Sequence, residues 1–241
     1  LAVIGLGLYI LFGERHREST DERKANARLA LRIDPDSITS VRIESGGALF
    51  IVGRTNKAWR LTSPVQALAD GAVVMHIVDT IATLRKSEII TPEEIKALGI
   101  DTASYGFDAP RATIVIDDGR QRSTLLVGRD SPAGQIYVKR TDLDEIIVTD
   151  RELLAALPAT VLDIRERRLF SGQPGGVRRI ELQSRRGVFH GSRTEEDQWI
   201  IDRPVYARGL GSAIRPWLER LYEFRVHDFV AESVTAGSLY G

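Results

Sequence analysis

Short segments that alternate apolar and polar residues open the folded part of the sequence, and one helical stripe of apolar residues follows them. Alternation with a period of two is typical of a strand buried on one face, and turn residues such as Ser45-Gly46-Gly47 separate the segments. Three strands are predicted, at 38–44, 48–52 and 59–61. Pro64 ends the third strand because proline cannot donate to a sheet ladder. Asp70 then begins a predicted amphipathic helix that runs to about Lys86.

The next part of the chain predicts an antiparallel meander. Apolar segments are joined there by turn sequences such as Asp118-Gly119 and Pro132–Gly134. The four predicted strands are Ala112–Ile116, Arg122–Val127, Gln135–Lys139 and Glu145–Val148. Short helices are predicted on either side of the meander, at 92–98 and 150–157.

A second group of segments repeats the first. The stretch from Trp59 to Pro64 returns 140 positions later, from Trp199 to Pro204, and the apolar positions of the helix return at the same spacing. So long a period indicates a duplicated structural unit, since solenoid repeats have periods of about 20–50 residues. Trp59, Pro64, Trp199 and Pro204 are therefore predicted to be the structural anchors of the repeat.

The repeat also predicts the organisation of the chain. We expect an α+β protein, with an N-terminal transmembrane helix followed by duplicated αβ units that each have an antiparallel sheet and one amphipathic helix. The first unit is predicted to cover residues 37–172 and the second 173–241. Tyr105-Gly106 opens the first meander, and Tyr240-Gly241 stands where a second meander would begin. The second unit is therefore expected to be incomplete, in a chain that is part of a longer protein.

The first 13 residues carry no charge, and the charged residues 14–36 follow them. Thirteen residues are too few to cross a bilayer, which takes about 20. Because the chain begins with Leu, we interpret 1–13 as the C-terminal part of a transmembrane anchor and 14–36 as a juxtamembrane linker with a helix. A signal-peptide segment and a buried core helix are the alternatives. The first lacks a small-x-small cleavage site, and the second does not fit a stretch that is apolar on every face.

Charge and composition narrow the class of function. Lys plus Arg and Asp plus Glu number 33 each, so the chain lacks the long-range positive field that general nucleic-acid binding uses. The absence of Cys excludes disulfides, thiolate catalysis and metal sites built from Cys. The apolar fraction of 43% is ordinary for a globular protein.

The residues that usually carry catalysis or bind metals form no recognisable pattern. The histidines, His16, His76, His190 and His227, lie at no spacing typical of metal ligands. The sequence has neither a phosphate-binding loop nor a Gly-x-Ser-x-Gly motif. Acidic pairs occur at 93–94, 117–118 and 195–196, where acids cap turns and helix starts. A glycosidase pair is the weaker alternative for these acids. We expect a protein that is not an enzyme and has no cofactor.

Two aromatic residues and one basic segment each allow two interpretations. In one interpretation Trp59 and Trp199 are stacking platforms that bind a sugar or a peptide. In the other, each ring buries about 150–250 Å² of surface in the core. Their identical positions beside predicted amphipathic helices favour the core. The segment Arg165–Arg168 would contact anionic lipid or a partner, or would form a solvated turn with local ion pairs, which we favour.

The order of several short motifs resembles a bacterial family of domains of unknown function, the one numbered 4340. The motifs are Ala58–Val65, Ala69-Asp70, Leu84-Arg85, Tyr105–Pro110, Leu126–Gly128, Tyr137-Val138 and Asp163–Arg165. The resemblance implies one N-terminal membrane helix and tandem αβ units, often encoded near ABC-type transport systems of the gliding-motility class. It also implies that the folded part of the chain lies on the outer face of the inner membrane. The basic residues after the anchor favour a cytoplasmic location instead. We follow the resemblance. No catalytic residues carry over from the family. Residues 208–210 of the second unit correspond to residues 68–70 of the first, and they lack the Asp that would cap the helix.

The hypothesis that follows is a non-catalytic accessory or scaffold subunit of an ABC-type transport system of the gliding-motility class. It would span the bacterial inner membrane once, through its N-terminal helix, and place its body in the periplasm. Its partners would be the membrane subunits of the transporter and related envelope proteins. The alternative is an envelope module that binds a glycan or a peptide, and a hydrolase comes third.

Overall fold

The computed structural model describes residues 28–99, 101–143 and 145–232. The predicted anchor, 1–13, and residues 14–27 of the predicted linker lie outside the described residues. No helix within the described ranges is long and apolar enough to cross a membrane. The chain divides into two compact units between Glu166 and Arg167, where the sequence analysis begins the second unit at residue 173. We call them unit 1 and unit 2.

Unit 1 is built on one antiparallel sheet of nine strands. In chain order these are β1 (Ser40–Ser45), β2 (Ala48–Thr55), β3 (Ala58–Ser63), β4 (Ala67–Leu68), β5 (Glu88–Ile90), β6 (Ala112–Asp117), β7 (Arg122–Asp130), β8 (Ile136–Arg140) and β9 (Ile146–Thr149). Across the sheet the order is β4-β3-β2-β1-β6-β7-β8-β9-β5. The predicted strands are all present, while β4 and β5 were not predicted, because two or three residues are too short to show a period.

Pairing between β1 and β6 joins the two halves of this sheet. Its register runs from Ser40 opposite Asp117 to Ser45 opposite Ala112. Val41 and Ile43 of β1 are buried while the residues beside them are not, as expected for a sheet with one face on the core. The meander β6–β9 thus completes the sheet that the β1–β4 hairpins begin.

Four helices accompany the sheet: α1 (Gly71–Ala82), α2 (Pro92–Leu98), α3 (Glu152–Ala156) and α4 (Val161–Ile164). Asp70 caps α1, since its carboxylate accepts hydrogen bonds from the N–H groups of Ala72 at 3.0 Å and Val73 at 3.4 Å. The helix ends before Lys86, its predicted end. The reason is that the Lys86 N–H donates to the Arg28 carbonyl at 2.7 Å, in an extended bridge that a helix cannot form.

The core of unit 1 lies between one face of the sheet and α1, which also contacts α3 and α4. Its largest buried side chains come from both halves of the sheet, from α1 and from the segment that precedes β1. Among them are Leu31, Ile43, Phe50, Leu61, Ile77, Ile81, Ile114 and Leu125, each at 1% exposure or less.

Unit 2 follows the order of the first part of unit 1. Its strands are β10 (Arg179–Ser184), β11 (Gly187–Arg193), β12 (Trp199–Arg203) and β13 (Ala207–Arg208), and its helix is α5 (Gly211–Glu223). The strands pair consecutively in one antiparallel sheet. The core of unit 2 is small, with three buried residues, Ile180, Trp199 and Leu218. The protein is therefore α+β with antiparallel sheets, as its sequence predicts.

Irregular features also occur at matching places in the two units. The register between the second and third strands shifts between Ile51 and Val52 in unit 1 and between His190 and Gly191 in unit 2. A 3₁₀ turn that begins with proline precedes each first strand, at 35–37 and 174–176. The two units therefore share their bulges and turns as well as their regular elements.

Candidate functional site

Trp59 and Trp199 lie inside their units, each only 5% exposed. Each ring lies beside the first residue of the following helix. A Cβ at Gly71 or at Gly211 would lie 3.9 Å from the Cδ1 atom of the respective tryptophan. Neither ring is exposed as a platform on which a ligand would stack.

Pro64 and Pro204 lie on the surface, just after β3 and β12. Each follows a cis peptide bond, Ser63-Pro64 in unit 1 and Arg203-Pro204 in unit 2. The chain reverses there, so that β4 and β13 run back along the preceding strands. None of the four predicted anchor residues carries a group suited to acid–base or nucleophilic chemistry.

Arg54 and Arg193 were not singled out from the sequence. Arg54 donates from Nη1 to the Asp36 carbonyl at 3.0 Å, and Arg193 donates from Nη1 to the Gly175 carbonyl at 2.7 Å. In both units the guanidinium therefore ties the 3₁₀ turn to the second strand. Positions 54 and 193 are 139 apart rather than 140, so a comparison at a fixed spacing misses the pair.

A cavity of about 270 Å³ lies beside Trp199 in unit 2. Arg193, Arg215 and Glu219 line it together with Pro174, Gly175, Asp197, Gly211 and Leu218. Arg193 donates from Nη2 to the Asp197 carboxylate at 2.6 Å, and its Nε is buried without a hydrogen-bond partner among the described residues. Arg193 and Asp197 pair with each other at the wall of the cavity, and Arg215 and Glu219 are its other charged lining residues.

Motifs that carry the family resemblance meet in unit 1. The turn at Tyr105-Gly106 packs on β7, where a Cβ at Gly128 would lie only 2.2 Å from the Tyr105 carbonyl oxygen. The Tyr105 ring contacts the edge of Tyr137, with centroids 4.8 Å apart. Burial raises the pKa of the Tyr105 phenol, and the neighbouring Tyr137 adds to the rise. The phenol therefore stays neutral, and its contact with Tyr137 contributes to packing.

The motif at Asp163–Arg165 holds the start of α1. The Ile164 carbonyl accepts the Asp70 N–H at 2.8 Å, and the Leu68 carbonyl accepts the Glu166 N–H at 2.9 Å. The Asp163 carboxylate accepts the Thr160 N–H at 2.7 Å and so caps α4. The segment therefore holds α1 through backbone hydrogen bonds and caps α4 through the Asp163 carboxylate.

Residues of two of the three acidic pairs cap local structure. The Gly119 N–H, 2.8 Å from Asp117, and the Arg122 guanidinium hold the pKa of the Asp117 carboxyl below its usual range. Backbone N–H groups of Gln121 and Arg120 do the same for the pKa of Asp118. Glu94 closes a capping box with Thr91 at the start of α2.

In the part of the chain that the structure describes, no group of three His, Asp or Glu side chains could hold a metal ion. The Nδ1 atom of His190 lies 3.8 Å from a carboxylate oxygen of Asp202. His16 lies outside the described residues.

A surface of unit 2 is apolar where unit 1 has its core. Four apolar side chains are exposed: Phe170 43%, Leu182 44%, Trp217 36% and Phe224 56%. Their counterparts in unit 1 are Leu31 1%, Ile43 1%, Ile77 1% and Leu84 6%, all members of one core. We call these four residues of unit 2, together with strand β10, the open face. A groove of about 410 Å³ lies at the C-terminal half of α5, lined by Trp217, Arg220, Leu221, Glu223 and Phe224.

The elements that cover the corresponding surface of unit 1 explain the difference. There β6 pairs with β1, which places Ile114 opposite Ile43, and α3 contacts α1. Within residues 167–232 nothing corresponds to β6–β9 or to α3, and β10 pairs with β11 alone. The open face is therefore the candidate functional site of this α+β protein.

The comparisons with known proteins agree with the resemblance seen in the motifs. The family of domains of unknown function numbered 4340 (DUF4340) matches residues 59–241, and the chain belongs to this family. No curated protein and no solved structure matches the chain.

Proposed function

We propose that this protein is a non-catalytic accessory subunit of an ABC-type transport system of the gliding-motility class. In this proposal units 1 and 2 are copies of one scaffold, and residues 1–13 are part of a transmembrane helix in the bacterial inner membrane. The body lies in the periplasm. The open face contacts membrane subunits of the transporter and related envelope proteins.

The exposure of the open face is the observation that carries the proposal. Soluble monomers rarely leave large apolar patches in water, and such patches mark sites of protein or membrane interaction. Its Trp217 and Phe224 flank Arg220 along one helix. Aromatic residues and arginine are the types enriched where proteins bind each other. The surface thus has the composition of a protein-binding site.

The roles of the motif residues also support a scaffold. Trp59, Gly128 and Asp163 are occupied with packing and backbone hydrogen bonds in unit 1. The motifs that carry the family resemblance therefore stabilise the fold, whereas the open face is left available for a partner.

Co-purification tests the proposal. The intact protein is purified from its own cells in mild detergent, and proteins that accompany it are identified by mass spectrometry. We expect stoichiometric membrane subunits of an ABC-type transporter. The double variant Trp217→Glu, Phe224→Glu should lose them while keeping its melting temperature, and Glu195→Lys, in an exposed turn of unit 2, should retain them. Recovery of the wild-type protein alone would refute the proposal.

The membrane orientation needs a separate test. Protease added to intact spheroplasts should digest both units if the body lies in the periplasm. Protection of both units until the membrane is broken would place the body in the cytoplasm and refute that part of the proposal.

The cavity beside Trp199 favours a second candidate, an envelope module that binds a glycan or a peptide. Arg193 and Arg215 line it, and their guanidinium groups would donate hydrogen bonds to ligand oxygens there. Tryptophan fluorescence should then change with added saccharide or peptide, and Arg193→Lys should abolish the change. An unchanged spectrum over a panel of both ligand types would exclude this alternative.

A further inference from the structure

Unit 1 contains a cavity of about 280 Å³, which we call the unit 1 cavity. It is lined by the segment 29–32 and by the polar residues Lys86, Gln121, Ser123 and Arg140. Ligand pockets span about 300–1,000 Å³, so a cavity of this size suits a small molecule or a single chemical group. Within the described residues no carboxylate lines it, whereas three residues with cationic side chains do.

Ser123 is a buried polar residue in the wall of the unit 1 cavity. On β7 the buried residues Ser123, Leu125 and Val127 alternate with partly exposed ones, so the serine lies on the face of the strand that packs on the core. It is only 6% exposed. Its hydroxyl forms no hydrogen bond among the described residues, although buried polar groups nearly always have a partner. A ligand in the cavity would supply that partner.

Two of the cations are held by acids that do not line the cavity. Lys86 Nζ lies 2.7 Å from the Glu145 carboxylate, and the two side chains are 14% and 22% exposed. Arg140 donates to the Asp142 carboxylate from Nε and Nη2, and to the Ala30 carbonyl from Nη1 at 3.2 Å. A guanidinium has five N–H donors and an ammonium three, so each group keeps some unused. Both cations are therefore fixed in place and still able to donate to a ligand.

Arg32 adds a positive charge that no acid balances. It is exposed, and it forms no ion pair within the part of the chain that the structure describes. Its segment is fixed over the end of α1, because the Ala30 N–H donates to the Leu84 carbonyl at 2.7 Å. Three cations stand against two carboxylates at and around the cavity, which leaves one positive charge in excess. The site therefore favours an anion.

We propose that the unit 1 cavity binds a phosphate group. Phosphate accepts hydrogen bonds from every direction, which matches a cavity lined by a hydroxyl, a side-chain amide, a lysine and two arginines. A carboxylate accepts along one edge only and would leave more of these donors without a partner. The same chemistry recognises a soluble phosphate or its ester and the head group of an anionic phospholipid. The inference is independent of the proposed transporter function.

A titration with inorganic phosphate tests the proposal. The intact 241-residue chain is kept in an uncharged mild detergent, and chloride at the same ionic strength is the control. Phosphate should raise the melting temperature, because a ligand that binds only the folded state stabilises it, whereas chloride should not. Isothermal titration calorimetry then gives the Kd.

Matched variants locate the binding. Ser123→Ala should weaken phosphate binding about tenfold, because a hydrogen bond to a charged group is lost. Without phosphate it should be at least as stable as the wild type, since it removes a buried hydroxyl that has no partner. Arg32→Gln should also weaken binding. Arg60→Gln makes the same charge change at an exposed position of β3, away from the cavity, and should bind as the wild type does.

Two further probes distinguish the sources of the phosphate group. Glycerol phosphate is a soluble monoester, whereas short-chain phosphatidylglycerol carries the phosphodiester of a lipid head group. Displacement of inorganic phosphate by the first alone would indicate a soluble ester, and displacement by the second alone a phospholipid. Displacement by neither would identify inorganic phosphate itself as the ligand.

Two results would overturn the proposal. One is a melting temperature that phosphate raises no more than chloride does. The other is equal phosphate binding by the wild type, Ser123→Ala and Arg32→Gln, since the anion would then bind elsewhere. No transporter subunit enters these measurements, so their failure leaves the co-purification result standing, and a failed co-purification leaves this site standing.

Discussion

At some positions of unit 1, neighbouring backbone lies so close that only glycine fits. Gly128 is buried in β7, and the space that a Cβ would occupy is taken by the Tyr105 carbonyl and the Phe107 ring. Gly53 in β2 differs, because a Cβ there would come no nearer than 3.9 Å to the Thr39 carbonyl oxygen. A side chain would therefore clash at Gly128 but would fit at Gly53, although both glycines lie in strands of the same sheet.

This difference predicts opposite effects of one substitution. Gly128→Ala should lower the free energy of unfolding by about 1–3 kcal/mol or more, because the Tyr105 turn must move away from β7. Gly53→Ala should leave it unchanged or raise it by up to about 1 kcal/mol, since alanine restricts the unfolded chain. Urea denaturation of both variants measures the effect. A Gly128→Ala protein as stable as the wild type would show that the contact between Tyr105 and β7 tolerates a side chain.

A second prediction at this scale concerns Asp117 and acid. Its pKa is lowered in the folded state by the Gly119 N–H and then by Arg122. The stabilisation is therefore complete above the unfolded pKa of about 4 and is lost as the pH falls through the lower, folded pKa. Asp117→Asn should reduce stability at neutral pH and flatten its dependence on pH in the acid range. Arg122→Gln should do so less, because the Gly119 bond remains. Parallel acid profiles for all three proteins would contradict the assignment.

At the scale of elements, the two long helices begin differently. Asp70 caps α1 through its carboxylate, whereas Leu210 precedes α5 without a side-chain cap. Their backbones nevertheless match, with φ −69° and ψ 107° at Asp70 and φ −82° and ψ 99° at Leu210. Leu210 is also 69% exposed, so packing does not require it there. An aspartate at 210 would find the geometry of a cap already present.

Exchanging the caps tests this correspondence. Asp70→Ala should cost about 1 kcal/mol of stability, and Leu210→Asp should gain about 0.5–1 kcal/mol by capping α5. Leu210→Asn should gain a similar amount, whereas Leu210→Ala should not. Thermal and urea unfolding followed by circular dichroism measure the four variants. A Leu210→Asp protein no more stable than Leu210→Ala would mean that α5 does not start where α1 does.

At the scale of the whole molecule, the units differ in how much apolar surface they bury. The core of unit 1 extends over both halves of a nine-stranded sheet, while that of unit 2 has three buried residues. Burial of apolar surface is the dominant favourable term in folding. Unit 2 should therefore open more readily than unit 1.

Hydrogen exchange of matching strands measures this difference. The amides of β12, Trp199–Arg203, should exchange faster than those of β3, Ala58–Ser63, because local stability limits exchange. The matching position of the two strands makes each a control for the other. Slower exchange in β12 would show that unit 2 gains its stability from a source other than its own core.

Much of the architecture follows from local pattern. Alternation predicts β1–β3 and the meander, and the amphipathic stripe predicts α1. The end of α1 could not be predicted, since residue 86 bonds to residue 28, far away in the sequence. The roles of Arg54 and Gly128 could not be predicted from the sequence either, because each depends on a backbone carbonyl that only folding brings near.

The sequence by itself determined the α+β class, the strands with a clear period, the helices α1, α2, α3 and α5, and the family to which the chain belongs. These depend on spacing along the chain, which a sequence displays directly. Only the tertiary structure decided which apolar residues are covered. Ile43 and Leu182 have similar chemistry and matching positions, yet one is 1% and the other 44% exposed. The reason is that exposure depends on the neighbouring strand, and β6 lies beside β1 while β10 has an unpaired edge within the described residues.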